Sequence, residues 1–304
     1  MALHPKYQAG LLIAAHIVVA AGILAGFAFR DGSPEPGSGS ARETSAARIV
    51  SMAPNITETL FALGLGDRVA GVTRFCAWPP EAREKPSVGG FIDPNYERIV
   101  ALRPDLVLLL PEHATVIDHL GELGIRCEVV RNRTVDDILW TIGRIGELCG
   151  REAQADSLAG DLRRRIVAVR AGAGAGKPKV LISVSRDFGA GTVSRVYAAG
   201  PGTFYDELIG YAGGVNAYVG PPVAYPVLSA EGLISLDPDI IIDLVPSGQA
   251  DGLGPEAWSG YGSVAAVRNG RVHVIDAEYA VIPGPRFILF LEELAGIVRS
   301  RVLP

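Results

Sequence analysis

The chain has 304 residues, which is enough for one large domain or two ordinary lobes and too long for a small disulfide-stapled fold. Hydrophobic residues make up 48% and charged residues 20%, a balance that excludes wholesale disorder. With 28 Lys and Arg against 33 Asp and Glu, the formal net charge is −5, so no broad basic surface is available for nucleic acid.

The first thirty residues contain a long uncharged run. Leu11–Phe29 carries no formal charge and lies between Lys6 and Arg30; its length of about 19 residues is what a helix needs to cross a bilayer. We predict residues 1–30 to be a transmembrane anchor, with a cleaved signal segment as the alternative. Lys6 on the short N-terminal side fits the positive-inside tendency, which leaves the main body on the periplasmic or other extracytoplasmic side of the membrane.

The next stretch has the composition of a tether. Asp31–Ala47 is rich in Gly, Ser, Pro and charged residues and shows no apolar period, so residues 31–47 are predicted to be a flexible linker. No Cys directly follows the apolar run, which leaves no site for lipid attachment at a new N-terminal Cys. The folded part is predicted to begin near Arg48.

Short apolar runs alternate with helical periodicity through the rest of the chain. Asn55 and Thr57 are candidate N-caps for a helix at Ile56–Leu63, and Thr134 is one for Val135–Cys149. This alternation predicts an α/β fold with mainly parallel sheets covered by helices. The predicted strands are Ile49–Ala53, Val69–Val72, Leu106–Leu110, Cys127–Val130, Val180–Val184, Ile240–Val245 and Val272–Ile275.

One internal repeat stands out. The segment NYERIVALRPDLVLLL, which contains Glu97, matches SAEGLISLDPDIIIDL, which contains Glu231, at an offset of 231 − 97 = 134 residues. Each copy places a Glu early in a short helix, then apolar residues, a Pro-Asp pair and a buried strand. Proline ends the helix and favours the extended backbone that follows. The repeat predicts two lobes of related architecture.

The longest charged helical stretch lies between the two copies. Arg151–Arg170 would be about 30 Å long as a continuous helix. We therefore predict an N-terminal lobe at 48–150, a lobe-spanning helix and linker at 151–176, and a C-terminal lobe at 177–304.

Several segments together resemble one known family. RIVSMAPNITETLFALGLGDRVAGVTRFCAWPPEA, VGGFIDPNYERIVALRPDLVLLL, PGTFYDELIGYAGGVNAY, LSAEGLISLDPDIII and PGPRF are similar to the periplasmic substrate-binding proteins of ABC importers for cobalamin, haem and ferric siderophores. The resemblance covers nearly everything from Arg48 onward. It implies two Rossmann-like lobes joined by one long backbone helix, with a ligand cleft between the lobes.

The resemblance assigns the repeated glutamates a role. Glu97 and Glu231 match family positions that dock into Arg pockets on the two subunits of a permease dimer, which works with its ATPase. Carboxylates form bidentate, charge-assisted bonds to Arg, so such a pair would orient the protein on the transporter. The competing interpretation is that each is a first-turn residue that stabilises its helix through the helix dipole.

Ligand contacts are expected on loops that follow the carboxyl ends of strands. The cobalamin-binding relatives place aromatic residues at positions that match Phe75, Phe91, Tyr225 and Tyr279, and aromatic faces suit large flat ligands. Each aromatic is also explained by ordinary core packing. The full set of predicted contacts is Pro54, Asn55, Phe75, Cys76, Trp78, Phe91, Tyr225, Glu278, Tyr279 and Arg286.

The sequence departs from the cobalamin pattern at Tyr279–Ile282, where charged contacts are missing, so cobalamin is the leading ligand among several. Arg186, Arg195 and Arg286 suit siderophore carboxylates or haem propionates, since guanidinium binds planar anions. Arg186 beside Asp187 is alternatively a surface pair, and Arg286 a capping residue in the PGPR turn.

Cysteine and histidine offer weaker metal candidates. Cys76 would lie in the predicted cleft, either as a metal ligand or as a small buried hydrophobe. A disulfide between Cys127 and Cys149 is left open. His113 follows a strand and is either an axial metal ligand or exposed to solvent. We predict no metal site or cofactor of the protein's own, although the ligand itself can contain cobalt or iron.

An enzyme and a sensor remain the competing classes. The chain contains no G-x-S-x-G nucleophile motif and no clustered His ligands for a catalytic metal. A membrane-tethered sensor or scaffold with the same fold is compatible with the sequence. The prediction is a non-enzymatic receptor that captures a small-molecule metal chelate and delivers it to an ABC permease.

Overall fold

The computed structural model describes residues 45–189, 192–245 and 254–300. The anchor predicted at residues 1–30 and nearly all of the predicted linker lie outside the described residues. Within those three ranges, no helix combines the length and the apolar character needed to cross a membrane.

The described chain forms two compact α/β units that meet in sequence between Arg163 and Arg164. We call residues 45–163 the N-lobe and residues 164–300 the C-lobe. The change from one lobe to the other falls inside a single continuous helix, Glu152–Ala171, which the sequence predicts as Arg151–Arg170. The two-lobe α/β architecture is thus the predicted one.

The N-lobe contains a four-stranded sheet in the order β2-β1-β3-β4, with every pairing parallel. Short 3-10 helices occupy Gly66–Arg68, Pro80–Glu84 and Pro111–His113. The strands and helices are β1 (Ile49–Ser51), α1 (Pro54–Ala62), β2 (Val69–Val72), α2 (Tyr96–Ala101), β3 (Leu106–Leu109), α3 (Ala114–Glu122), β4 (Cys127–Val129), α4 (Val135–Cys149) and the first half of α5 (Glu152–Ala171).

Helix α4 begins and ends where the sequence predicts. The Thr134 hydroxyl accepts a hydrogen bond from the Asp137 amide at 3.0 Å, and Gly150 closes the helix in the left-handed region at φ 64°. Helix α1 differs, because it begins at Pro54 after an Ala53 that makes no side-chain cap. Proline's fixed φ prepares the first helical turn, so the predicted caps at Asn55 and Thr57 are wrong.

The C-lobe sheet has six strands in the order β10-β9-β5-β6-β8, with β7 paired to β5. Two 3-10 helices occupy Pro255–Tyr261 and Glu278–Ala280. The strands and helices after α5 are β5 (Lys179–Gly189), β6 (Thr192–Ala198), α6 (Phe204–Ala212), β7 (Val215–Asn216), β8 (Val227–Leu228), α7 (Ala230–Leu236), β9 (Ile240–Leu244), α8 (Ala265–Arg268), β10 (Val272–Ile275) and α9 (Phe287–Arg299).

Strand β5 makes this sheet mixed. Its first half, Val180–Ser183, pairs in parallel with β9, while its second half pairs antiparallel with β6. All seven strands predicted from sequence are present, but β6, β7 and β8 are not among them. The missed signal for β6 is the Gly-Ala-Gly tract that follows Phe188, because two β-rich runs around a short Gly-containing loop indicate a hairpin.

The internal repeat is also a structural repeat. Asn95 caps α2 by accepting a hydrogen bond from the amide three residues on, and Ser229 caps α7 in the same way. Arg103 and Asp237, also 134 residues apart, adopt left-handed φ values of 46° and 42° just before the repeated prolines. Non-glycine residues rarely adopt this conformation, so the same helix end is built twice.

The repeated Pro-Asp pairs have a shared structural role. Asp105 accepts a hydrogen bond from the Arg48 amide at 3.1 Å, directly before β1. Asp239 accepts one from the Lys179 amide at 2.7 Å, at the start of β5. In both lobes this carboxylate therefore fixes the beginning of a central strand.

The residues whose amides bond to these aspartates, Arg48 and Lys179, also connect the strand to the end of the repeat helix. The Arg48 guanidinium donates to the Leu102 carbonyl oxygen at 2.6 Å, and the Lys179 ammonium donates to the Leu236 carbonyl oxygen at 2.8 Å. These carbonyls belong to the ends of α2 and α7, where backbone acceptors lack helical partners and a cation is favourable. Helix end and strand start are thus held together by one carboxylate and one cation in each lobe.

This junction generates a stability prediction. Asp105→Ala should lower the free energy of unfolding by about 1–2 kcal/mol, because two backbone amides at Ala47 and Arg48 lose a charged acceptor. Urea denaturation measures the change. Asp118→Ala, at an exposed carboxylate on α3, is the control and should leave stability unchanged or slightly raised. Equal midpoints for the two variants would contradict the assigned role.

Candidate functional site

The N-lobe loop after β2 carries three of the predicted contact residues, namely Phe75, Cys76 and Trp78. The end of β2 forms a bridge with Ser87, and the segment that follows Ser87 is bonded to this loop. The Arg74 amide donates to the Gly89 carbonyl oxygen at 2.9 Å. The Arg74 guanidinium also pairs with Asp93 at 2.6 Å and lies 5.3 Å from the centre of the Phe75 ring. Two surface loops are thereby braced against each other.

Gly89 is required for this brace. Its φ is +100°, and a Cβ added there would lie 2.6 Å from the Asp93 carbonyl oxygen. Only glycine accommodates both the backbone conformation and the close approach. The following turn places Phe91 on the braced segment.

Phe91 packs against His113, with ring centroids 4.3 Å apart. His113 is buried, so the expectation of solvent exposure is wrong. Its Nδ1 accepts a hydrogen bond from the Leu110 amide at 3.0 Å, and burial lowers the pKa of the imidazole to about 4. The ring is therefore neutral near pH 7 with its proton on Nε2, a tautomer that removes Nε2 as a metal donor.

Cys76 is a buried residue of the loop after β2. Its Sγ is 3.2 Å from the Thr73 hydroxyl, and burial raises the pKa of the thiol against the opposing hydrogen bonds of Thr57 and Thr73. A protonated buried thiol is a poor metal ligand. Cys127 and Cys149 are free thiols as well, so the disulfide left open between them is not formed.

Pro54 and Asn55 form the first turn of α1, directly after β1. Asn55 is buried, and nearby Ser51 and Thr57 share a hydroxyl hydrogen bond of 2.8 Å. Trp78, by contrast, is 43% exposed. It is the one exposed aromatic residue among the predicted contacts of the N-lobe that the structure describes.

In the C-lobe, Tyr225 lies in a loop that approaches another backbone closely. The Gly200 amide donates to the Ala224 carbonyl oxygen at 2.7 Å, and a Cβ on Gly200 would collide with the Val223 carbonyl oxygen. Glycine at this position therefore sets where the Tyr225 loop lies.

Tyr205 of α6 lies between Tyr225 and other predicted contact residues of this lobe. Its hydroxyl donates to the Ala280 carbonyl oxygen at 3.0 Å, and burial raises its pKa well above the usual value, with an additional contribution from Tyr225. The loop of Tyr225 and the 3-10 helix Glu278–Ala280 thus flank one buried tyrosine.

Glu278, Tyr279 and Arg286 lie near the start of α9. Arg286 Nη2 is 3.4 Å from Glu278 Oε2, and the Tyr279 hydroxyl donates to Glu293 at 3.0 Å. Arg286 occupies the N-cap position of α9 but makes no side-chain cap, so the capping alternative is wrong. These contacts hold the three side chains in fixed orientations.

A buried ion pair of the C-lobe, between strands β5 and β9, was missed from sequence. Arg186 pairs with Asp243, whose other carboxylate oxygen accepts from the Trp258 indole at 2.7 Å. Burial raises the pKa of Asp243 to about 6, opposed by Arg186 and Trp258. Arg186 is therefore not a surface partner of Asp187, which instead faces the exposed Arg195 at 3.1 Å. The available signal was the lone acid in the apolar run IIIDL.

The two predicted docking glutamates are exposed second residues of α2 and α7. The pKa of Glu231 is lowered by hydrogen bonds from its own backbone amide and from Ser229. Both positions suit an ionised carboxylate, so the helix-dipole interpretation and a docking role are compatible at each.

Within the described ranges, no group of three or more His, Cys, Asp and Glu side chains is arranged to hold a metal ion. What the loops do present is aromatic surface beside charged groups: Trp78 is exposed, Phe75, Tyr225 and Tyr279 are half-buried, and Phe91 is buried. Such surfaces bind flat organic ligands by burial and stacking. Together, the two α/β lobes and these loops define a two-lobe solute-binding protein.

The chain belongs to the periplasmic binding protein family, whose family model matches residues 49–279. It is 30% identical over 260 residues to an uncharacterised ABC transporter substrate-binding lipoprotein, YvrC, of Bacillus subtilis, covering 82% of this chain and 78% of the relative. It is also 30% identical over 272 residues to a cobalamin-binding protein of Halobacterium salinarum, covering 84% of this chain and 70% of that relative. The periplasmic haem-binding protein BhuT, solved with two haems, has a TM-score of 0.72 at 26% identity, covering 84% of this chain and all of that one.

The burial of His113 generates a pH prediction. Its folded pKa of about 4 lies below the ordinary 6.5, so the unfolded chain binds the extra proton and stability is lost as pH falls from about 6.5 towards 4. Between pH 7 and pH 4.5 this single group should cost about 2–3 kcal/mol of unfolding free energy.

Urea denaturation at both pH values measures this loss. His113→Asn keeps an acceptor for the Leu110 amide but does not titrate, so the variant should lose about 2–3 kcal/mol less than the unaltered protein. His119→Asn, at an exposed histidine of α3, should retain the full pH dependence. An unchanged pH dependence in the His113 variant would show that another group dominates.

Proposed function

We propose that this chain is the extracytoplasmic substrate-binding protein of an ABC importer, and that it captures a cobalamin-like corrinoid or an iron chelate such as a siderophore or haem. The observation that carries the proposal is the set of aromatic side chains on braced loops at strand ends in both lobes. The names of a cobalamin-binding relative and a haem-binding structural neighbour support the same ligand class.

The ligand contacts proposed for the N-lobe are Phe75, Trp78 and Phe91, with Pro54 and Asn55 at the start of α1. Flat macrocycles gain most from aromatic faces, which bury large area with few side-chain rotations. Cys76 is the buried residue of this loop and packs beneath its neighbours, in keeping with its protonated thiol.

In the C-lobe the proposed contacts are Tyr225, Glu278, Tyr279 and Arg286. The Arg286–Glu278 pair supplies charge beside the tyrosines, suited to the carboxylate and amide groups that edge such ligands. Because hydrogen bonds already orient Glu278, Tyr279 and Arg286, these three side chains lose little conformational entropy on binding.

The remaining parts of the proposal concern location and partners. Residues 1–30 serve as a membrane anchor or a cleaved signal segment, and the receptor delivers its ligand to a permease dimer with its ATPase. No bond in the ligand is made or broken. The alternative function is a membrane-tethered sensor on the same fold, which would bind the ligand without engaging a permease.

The ligand prediction is tested by calorimetric titration with cobalamin, haem and ferric siderophores. Trp78→Ala should weaken the tightest of these at least tenfold, because about 1.4 kcal/mol or more of aromatic contact is lost. Trp140→Ala is the matched control, since Trp140 is a 40% exposed tryptophan of the same lobe, on α4; its affinity should be unchanged. Saturable binding by none of the ligands would refute the proposed class.

The docking prediction concerns the repeated glutamates. Glu97→Ala with Glu231→Ala should leave ligand affinity intact and abolish uptake, because each carboxylate is proposed to pair with a permease Arg. Uptake of labelled ligand by cells measures this effect.

A matched pair of variants controls for lost acidic charge. Glu81 and Glu256 are also exposed first-turn residues of short helices, one in each lobe, but lie outside the repeat. Glu81→Ala with Glu256→Ala should preserve uptake. Normal uptake by the Glu97 and Glu231 double variant would refute the docking role and favour the sensor.

A further inference from the structure

The two helices that carry Glu97 and Glu231 also share the exposed residues that follow each glutamate on the same helical face. Residues three and four positions apart lie on one helical face, and these residues are Val100 and Ala101 after Glu97, and Ile234 and Ser235 after Glu231. All are exposed in both copies. We call Glu97–Val100–Ala101 and Glu231–Ile234–Ser235 the acidic–apolar faces.

The apolar members of these faces are prominent. Val100 is 44% exposed and Ile234 is 47% exposed, while their preceding neighbours, Ile99 and Leu233, are fully buried. The helices therefore anchor one apolar residue in the core and leave the next, a β-branched residue, in solvent. β-Branched residues are not favoured in helices for their propensity, so folding alone gives no reason for them here.

A single exposed apolar side chain is ordinary on a protein surface. Here, however, an exposed β-branched apolar residue lies three residues after a glutamate in both lobes. The two lobes therefore present the same surface twice. Such a surface fits a partner that presents one matching surface twice, as a dimer of two equal subunits does.

The chemistry of each face specifies what the matching surface contains. A carboxylate beside a branched apolar side chain calls for a cation flanked by apolar groups, and the small residue at the fourth position leaves the Glu stem open to a planar guanidinium. An ion pair rimmed by apolar contacts is also better shielded from water than an isolated surface pair.

We propose that Val100 and Ile234 are docking residues, an inference that rests on the proposed function. Each acidic–apolar face binds one permease subunit through an Arg surrounded by apolar side chains. The left-handed residues Arg103 and Asp237, with the cation-capped helix ends, hold both faces in place before contact. Docking onto a preformed face costs little ordering entropy.

The test measures docking separately from ligand binding. The probe is the purified permease–ATPase complex, in nanodiscs, whose ATPase activity the ligand-loaded, unaltered protein stimulates. Val100→Thr with Ile234→Thr keeps branching and helix propensity but places hydroxyls in the contact. Their desolvation should weaken docking about tenfold, with unchanged ligand affinity.

The control is Val129→Thr with Val215→Thr. These valines are 36% and 38% exposed, one in each lobe, and lie on strands outside the acidic–apolar faces. This double variant should dock within twofold of the unaltered protein. Weakening confined to the Val100 and Ile234 variant supports the proposal, and equal docking by both double variants overturns it.

The Glu97 and Glu231 double variant, measured on the same nanodiscs, separates the proposed apolar contact from the proposed docking role of the glutamates. Loss of docking there with normal docking by the Val100 and Ile234 variant leaves the glutamate role intact and overturns only the apolar contact. Normal docking by both variants overturns the glutamate role as well.

Discussion

The junction between a short helix and the following strand depends, in each lobe, on one aspartate and one cation. Asp105 and Asp239 fix the start of a central strand, and Arg48 and Lys179 bind the carbonyl that ends the helix. A left-handed residue and a proline make the turn between them abrupt. Because both ends of the junction are held, the direction of the helix is set by the sheet, and so is the surface that the helix presents.

Different buried polar contacts stabilise each lobe. The N-lobe uses a neutral buried imidazole at His113, next to Phe91, and a surface ion pair between Arg74 and Asp93. The C-lobe uses the buried Asp243, which is kept charged near pH 7 by Arg186 and the Trp258 indole. Buried hydrogen bonds and ion pairs specify one arrangement of their surroundings, so each set of contacts favours a single packing of its own lobe.

Sequence patterns predicted those features of the fold that depend on residues close together in the chain. The buried strands, the Thr134 cap, the Gly150 stop and the repeat follow from apolar runs, capping chemistry and spacing. The environment of Arg186 depends on Asp243, 57 residues away, and no periodicity reports such a contact. Polar residues in the second half of β5 likewise concealed the β5–β6 hairpin, because their partners come from tertiary structure. The site residues could be placed on loops, but their mutual contacts could not.

The contacts of Tyr279 show how the orientation of this side chain is set in the C-lobe. Its hydroxyl donates to Glu293 of α9, and the same helix begins at Arg286, which pairs with Glu278. Helix α9 is itself tied to α5 by a two-bond Arg165–Glu292 pair. The orientation of Tyr279 is therefore fixed by helix packing rather than by the loop sequence around it. Ala280 and Ile282, which lie on either side of Val281, are buried in the C-lobe and add apolar packing to the same region.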